Sequence, residues 1–142
     1  MATVCSLEPF RAEHLRDLTD QVIGDREMDI AMGAQHHPSW TARFNGRIVA
    51  CAGLVVIGAG QGVAWMRLSA EVRKRPIWFY KITKKILEDQ CRVWGLHRIE
   101  AKVLASSARD CRWIERMGFV YEGEARKAMP DKTNAFSYAR VM

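Results

Sequence analysis

The sequence predicts an α/β protein built on a mixed, largely antiparallel sheet flanked by helices. Three observations predict it. Asn45-Gly46 separates two apolar runs, "WTARF" and "RIVACAGLVVI", and Asn-Gly accepts the positive φ angles of a tight hairpin turn. The segment "IWFYKITKKILEDQCRVWG" repeats apolar residues at helical spacing between two strand-like runs, "VAWMRLSA" and "RIEAKVL", which is the pattern of a β-α-β crossing. Two more strand-like runs, "FVYEGEARKA" and "NAFSYARVM", close the chain as two strands.

Taken in order, "TVCSLEP" alternates as a first strand that Pro9 ends, and "RAEHLRDL" then turns Leu15 and Leu18 inward. "DREMDIAMGAQHHPSW" is weakly helical and then irregular. His36 and His37 are adjacent, without Cys, Asp or Glu at ligand spacing, so they are expected in a loop and not on a metal. After the Asn45-Gly46 hairpin, "GAGQG" makes another turn. The next strand puts Ala64, Met66 and Leu68 on one face and Trp65, Arg67 and Ser69 on the other. Pro76 suits a helix's first turn, where a missing N–H costs nothing, and Gly95 suits its end. In that helix Phe79, Ile82, Ile86 and Val93 share a face, with Leu87 and Trp94 beside them. A strand with Ile99, Ala101 and Val103 on one face follows. Ser107 and Asp110 then have the spacing of a helix cap, opening a helix with Cys111, Ile114 and Met117 inward that stops at Gly118.

The whole of residues 1–142 reads as one domain, long enough for a core without metal or disulfide. Cys5, Cys51, Cys91 and Cys111 form no C-x-x-C pair and are expected to be reduced thiols. "MATVCSLEPFRAEHL" lacks the apolar run of a signal peptide, and no stretch approaches the roughly 18 apolar residues of a membrane span. A cytoplasmic setting without a membrane partner is therefore expected. Lys and Arg number 22 against 16 Asp and Glu, and the net charge of +6 favours anionic ligands.

The order of elements, with the residues from Leu68 to Gly123, resembles the GNAT family of acyl-CoA N-acyltransferases. Gly118-Phe119 followed by Tyr121-Glu122-Gly123 and Arg126 is similar to the end of N-terminal-alanine acetyltransferases of ribosomal proteins. The resemblance implies a sheet with splayed central strands, acetyl-CoA as cosubstrate with its pantetheine arm between the fourth and fifth strands, and an amine or protein N-terminus as acceptor. It also implies a pyrophosphate loop of the form R-x-x-G-x-G or R-x-x-G-x-A. Here that loop is "RKRPIW": Arg73 matches the arginine, while Pro76 and Trp78 stand at the two small residues. Cofactor contacts are thus expected from Leu68, Ser69, Ala70, Arg73, Lys74, Arg75, Ile77 and Trp78, and from Ser107, which falls on the family's asparagine. The family's frequent tyrosine, an acid for the leaving thiolate, falls on Ile114.

The departure at the loop is physically large. Glycines let backbone N–H groups approach a phosphate, and Pro76 has no N–H. Side chains of Arg73, Lys74 and Arg75 can supply charge-assisted contacts in their place. Acetyl transfer also needs a base for the incoming amine, and Glu71 and Glu100 are the carboxylates in the expected neighbourhood. Each also has a plain structural reading as a partner of Arg67, Arg73 or Arg98.

Two other readings stand beside the enzyme. "PSWTARFNGRIVACAGL" and the later "VRKRP" before a lysine-rich helix resemble, in layout, small GNAT-like internal virion proteins of T7-like podophages. That resemblance implies a non-catalytic role in particle assembly, with virion proteins as partners and the host cytoplasm or virion as location. The third reading makes Arg73, Lys74, Arg75, Lys81, Lys84 and Lys85 a nucleic-acid stripe with Trp78, Phe79 and Tyr80 stacking on bases. It is the least favoured, because a solvated helix face explains those charges.

Overall fold

The computed structural model describes residues 3–18 and 24–142. Strands β1 (Cys5–Pro9), β2 (Ser39–Phe44), β3 (Arg47–Gly58), β4 (Gln61–Leu68), β5 (Arg98–Leu104), β6 (Val120–Ala125) and β7 (Ala135–Val141) form one sheet in the order β1-β2-β3-β4-β5-β7-β6. The helices are α1 (Asp25–Ala34), α2 (Pro76–Val93) and α3 (Ala108–Arg116), with short 3-10 turns at Ala12–Asp17 and Ala70–Lys74. The predicted sequence of elements is thereby borne out. β1 with β2, β2 with β3, β5 with β7 and β6 with β7 are antiparallel; β4 and β5 are parallel, as the β-α-β crossing requires.

The chain forms two compact units. The first holds residues 1–55 and 64–83; the second holds 56–63 and 84–142.

In the first unit β3 is buried from Ile48 to Leu54 on both faces, so its sequence reads as a continuous apolar run and not as an alternation. The hairpin before it turns at Asn45 (φ 50°) and Gly46 (φ 83°), the positive pair expected of Asn-Gly. Phe10, Leu15, Leu18, Ala31, Ile48 and Cys51 cluster on one side, with Met28 and Trp65 packed against them. Trp65 meets Phe10 edge-on at 4.9 Å. The buried His14 is the polar exception there. Its Nδ1 accepts from the Arg11 N–H at 3.1 Å and lies 2.8 Å from Thr41 Oγ1, so the backbone donor fixes the proton of a neutral ring on Nε2.

In the second unit β5 alternates cleanly: Ile99 and Ala101 are buried, Glu100 and Lys102 exposed. Its pairing with β4 covers Gln61↔Arg98, Gly62↔Ile99 and Val63↔Glu100. Gly60 (φ 77°) sits so close to the His97 ring that a Cβ there would lie 2.1 Å from Nδ1. Ser107 caps α3 by accepting from the Asp110 N–H at 3.3 Å, and Ile114 and Met117 are buried as predicted.

One helix face differs from expectation. Along α2 the buried residues are Phe79, Thr83, Leu87 and Cys91, a row four residues apart, with Ile82 and Ile86 half-buried. Val93 and Trp94, placed inward by the apolar pattern, are 71% and 51% exposed. The last turn of α2 has left the core, and the Trp94 indole instead donates back to Gln90 Oε1 at 3.2 Å.

Candidate active site

The predicted cofactor segment lies in the first unit. β4 ends at Leu68, and the chain enters a 3-10 turn in which Ser69 is the cap: its N–H donates to Val49 O at 2.8 Å, and its Oγ accepts from the Glu71 N–H at 3.2 Å. Ser69 is 1% exposed, so its hydroxyl organises the turn from inside. Ala70, Arg73, Lys74 and Arg75 are exposed, and Val72 is buried beneath them. Cations are thus presented outward from a turn pinned at both ends.

Helix α2 begins at Pro76. The first hydrogen bond of the helix is Phe79 N–H to Arg75 O at 3.0 Å, so the outward-looking donors of its first turn are those of Ile77 and Trp78, Pro76 having none. The Ile77 side chain is 70% exposed, whereas the Trp78 ring turns in against Phe44 at 5.5 Å, edge-on. Trp78 is therefore part of the packing between α2 and β2. Arg75 is tied as well: its Nη2 donates to Thr3 Oγ1 at 2.8 Å.

Both candidate bases are held in ion pairs. Glu71 lies between two cations, Lys74 Nζ at 3.4 Å and Arg47 Nη1 at 3.9 Å. Glu100, in the second unit, takes two bonds from Arg98, from Nε at 3.0 Å and Nη2 at 2.9 Å. Arg98 also clasps Glu122, at 3.1 and 2.5 Å. That hydrogen bonding lowers the Glu122 carboxyl below its ordinary range and raises the Arg98 guanidinium. The structural reading was right for Glu100 and Arg98; for Glu71 the partners are Lys74 and Arg47 in place of Arg67 or Arg73. Arg67 instead reaches Glu27 of α1, at 2.6 Å.

The sequence missed Thr3, Glu27, Phe44 and Arg47. Each meets its partner from far along the chain, Thr3 and Arg75 standing 72 positions apart, so no local pattern could have revealed them. Ser107 stands as the cap of α3 in the second unit, with its hydroxyl oxygen accepting from the Asp110 N–H.

A seven-stranded mixed sheet with one parallel β-α-β step at β4-α2-β5 is the fold of the GNAT N-acetyltransferases, as the resemblance implied. Among solved structures the chain is similar to Ard1 from Thermoplasma volcanium, with a TM-score of 0.80 at 11% identity over 97% of both chains. It is also similar to the ribosomal-protein-S18-alanine N-acetyltransferase from Escherichia coli (TM-score 0.74, 15% identity, 97% of this chain and 94% of that one). A third likeness is to an acetyltransferase of the GNAT family from Streptococcus pneumoniae (TM-score 0.71, 15% identity, 98% and 99%). No family model matches the chain, and no curated protein matches it in sequence.

Among the described residues no helix is long and apolar enough to cross a membrane, and no group of three His, Cys, Asp or Glu could hold a metal ion.

Proposed function

We propose that this protein is an acetyl-CoA-dependent N-acetyltransferase acting on an amine, either a small amine or a protein N-terminus, whose pyrophosphate is held by side chains. The observation that carries the proposal is the outward presentation of Arg73, Lys74 and Arg75 from the turn between β4 and α2, in the fold of N-acetyltransferases. Guanidinium groups bind phosphate oxygens in pairs, so they offset the N–H that Pro76 lacks. The N–H groups of Ile77 and Trp78 add the positive end of the α2 dipole. In this account Glu71 or Glu100 takes the amine proton, which requires its ion pair to loosen when the substrate binds.

A second reading, a protein of this fold that has lost CoA and serves in particle assembly, is favoured by one observation. Trp78 packs on Phe44 at the position where the loop needs a small residue. Calorimetric titration with acetyl-CoA separates the two. The enzyme gives saturable binding that Arg73→Ala with Arg75→Ala weakens at least tenfold; an absence of heat and of acetyl transfer to amines selects the second reading.

A further inference from the structure

Of the three cations between β4 and α2, Arg75 has its side chain fixed by a neutral group. Lys74 Nζ lies 3.4 Å from the Glu71 carboxylate, so its charge is partly met within the turn. Arg75 Nη2 instead donates to Thr3 Oγ1 at 2.8 Å, and a hydroxyl fixes a guanidinium without cancelling its charge. The Arg75 backbone is fixed as well. Its N–H donates to Val72 O at 3.2 Å, and its carbonyl accepts from the Phe79 N–H at 3.0 Å.

Thr3 can hold Arg75 because it is itself held. One residue on, the Val4 N–H donates to Asn45 Oδ1 at 2.9 Å, and the Asn45 N–H donates to Val4 O at 2.8 Å. Asn45 turns the hairpin between β2 and β3 with φ of 50°, which asparagine tolerates, and the same residue's side chain reaches the Thr3–Val4 arm. Its neighbour Phe44 packs edge-on against Trp78 in the first turn of α2 at 5.5 Å. One end of one hairpin therefore anchors both the arm that bears Thr3 and the helix that begins just after Arg75. All of these residues lie in the first unit.

We propose that Thr3 is a positioning residue for acetyl-CoA, holding Arg75 so that one whole edge of its guanidinium is open to the pyrophosphate. This inference rests on the acetyltransferase reading. A guanidinium carries five N–H bonds in a planar fork, and Nη2 gives one of its two to the edge shared with Nε and the other to the edge shared with Nη1. Whichever hydrogen Thr3 takes, the second edge keeps both donors. Two parallel donors are what a phosphate accepts from arginine. An unheld arginine loses the freedom of its long side chain when the ligand binds, whereas one held by Thr3 loses it on folding, so more of the contact energy remains for the ligand. A cradle of side chains needs such a hold more than one of backbone N–H groups, which the fold already fixes.

Calorimetric titration of the full chain with acetyl-CoA tests the inference in Thr3→Val, Thr3→Ser, Arg75→Ala and the pair Thr3→Val with Arg75→Ala. Thr3→Val keeps the branched shape and removes the acceptor, so Kd should rise about fivefold, the scale of one long side chain left for the ligand to immobilise. Thr3→Ser keeps the hydroxyl and should recover most of the affinity. With Arg75→Ala in place, Thr3→Val should change Kd no further, because the two residues act as a unit. Should Thr3→Val not fold, Asn45→Gly serves in its place: glycine keeps the positive φ, removes the side-chain acceptor of the Val4 N–H, and should weaken binding only while Arg75 is present. Three outcomes overturn the inference and leave the acetyltransferase reading standing: Thr3→Val binding as tightly as the unaltered chain, Thr3→Ser binding as weakly as Thr3→Val, or an equal loss from Thr3→Val with and without Arg75. An unaltered chain that gives no heat with acetyl-CoA overturns both.

Discussion

Trp78 shows how one side chain decides between two accounts of a loop. The sequence placed it at a position for a small residue; in the structure Ile77 points out and Trp78 packs in on Phe44. The direction was not legible because Pro76 fixes where α2 starts, but only the distant Phe44 fixes which side of the first turn meets β2. Two variants divide bulk from backbone. Pro76→Gly restores an N–H and should tighten acetyl-CoA binding while costing about 1 kcal/mol of stability through the freer helix start. Trp78→Ala should cost about 2–3 kcal/mol, less than the about 3–5 of a fully buried Trp because the ring is half-buried, measured by urea unfolding. Glu8 gives a pH signature at the same scale. Its carboxyl is held below the ordinary range by the hydrogen bond from Arg43 Nε, 2.5 Å away. A lowered value stabilises the fold above the ordinary carboxylate pKa of about 4.3, and that stabilisation is lost as pH falls through the folded value. Unfolding midpoints of the protein and of Glu8→Gln should therefore differ at pH 6 and converge in acid; a constant difference would assign the effect to packing.

At the scale of elements, the sequence was most informative where one face is buried and the period is short. β5 and the Asn45-Gly46 hairpin follow from alternation and turn chemistry alone, and Ser107 announced the start of α3. α2 was harder. Its buried row contains Thr83 and Cys91, residues without a strong apolar signature, while Val93 and Trp94 have that signature and face water. An apolar count therefore rotated the expected face near the helix end. Truncation tests the corrected face: Leu87→Ala should cost about 2–5 kcal/mol, as a buried Leu does, and Val93→Ala less than about 0.5. Thermal unfolding of the two variants would reverse in rank if the face read from the sequence were the true one.

The molecule as a whole divides at places where composition gives no warning: between Val55 and Val56 in β3, Val63 and Ala64 in β4, and Thr83 and Lys84 in α2. The chain crosses each boundary in mid-element, so no linker, glycine cluster or change of charge marks it, and a sequence scan for domain boundaries finds none. The net charge of +6, by contrast, was visible at once, although its meaning was not. Salt supplies that meaning for the cofactor. If acetyl-CoA is held by the exposed side chains of Arg73, Lys74 and Arg75, its affinity depends on charges that salt screens over about 10 Å at 0.1 M and about 3 Å at 1 M. Titrations at 0.05 and 0.5 M salt should then differ by an order of magnitude or more, and Arg73→Ala with Arg75→Ala should flatten the dependence along with the affinity. Binding that ignores salt would mean that the phosphates rest on the Ile77 and Trp78 N–H groups and the helix start, whose fixed, close donors are screened far less. In that case Pro76→Gly, which adds a third such donor, becomes the variant with the largest gain.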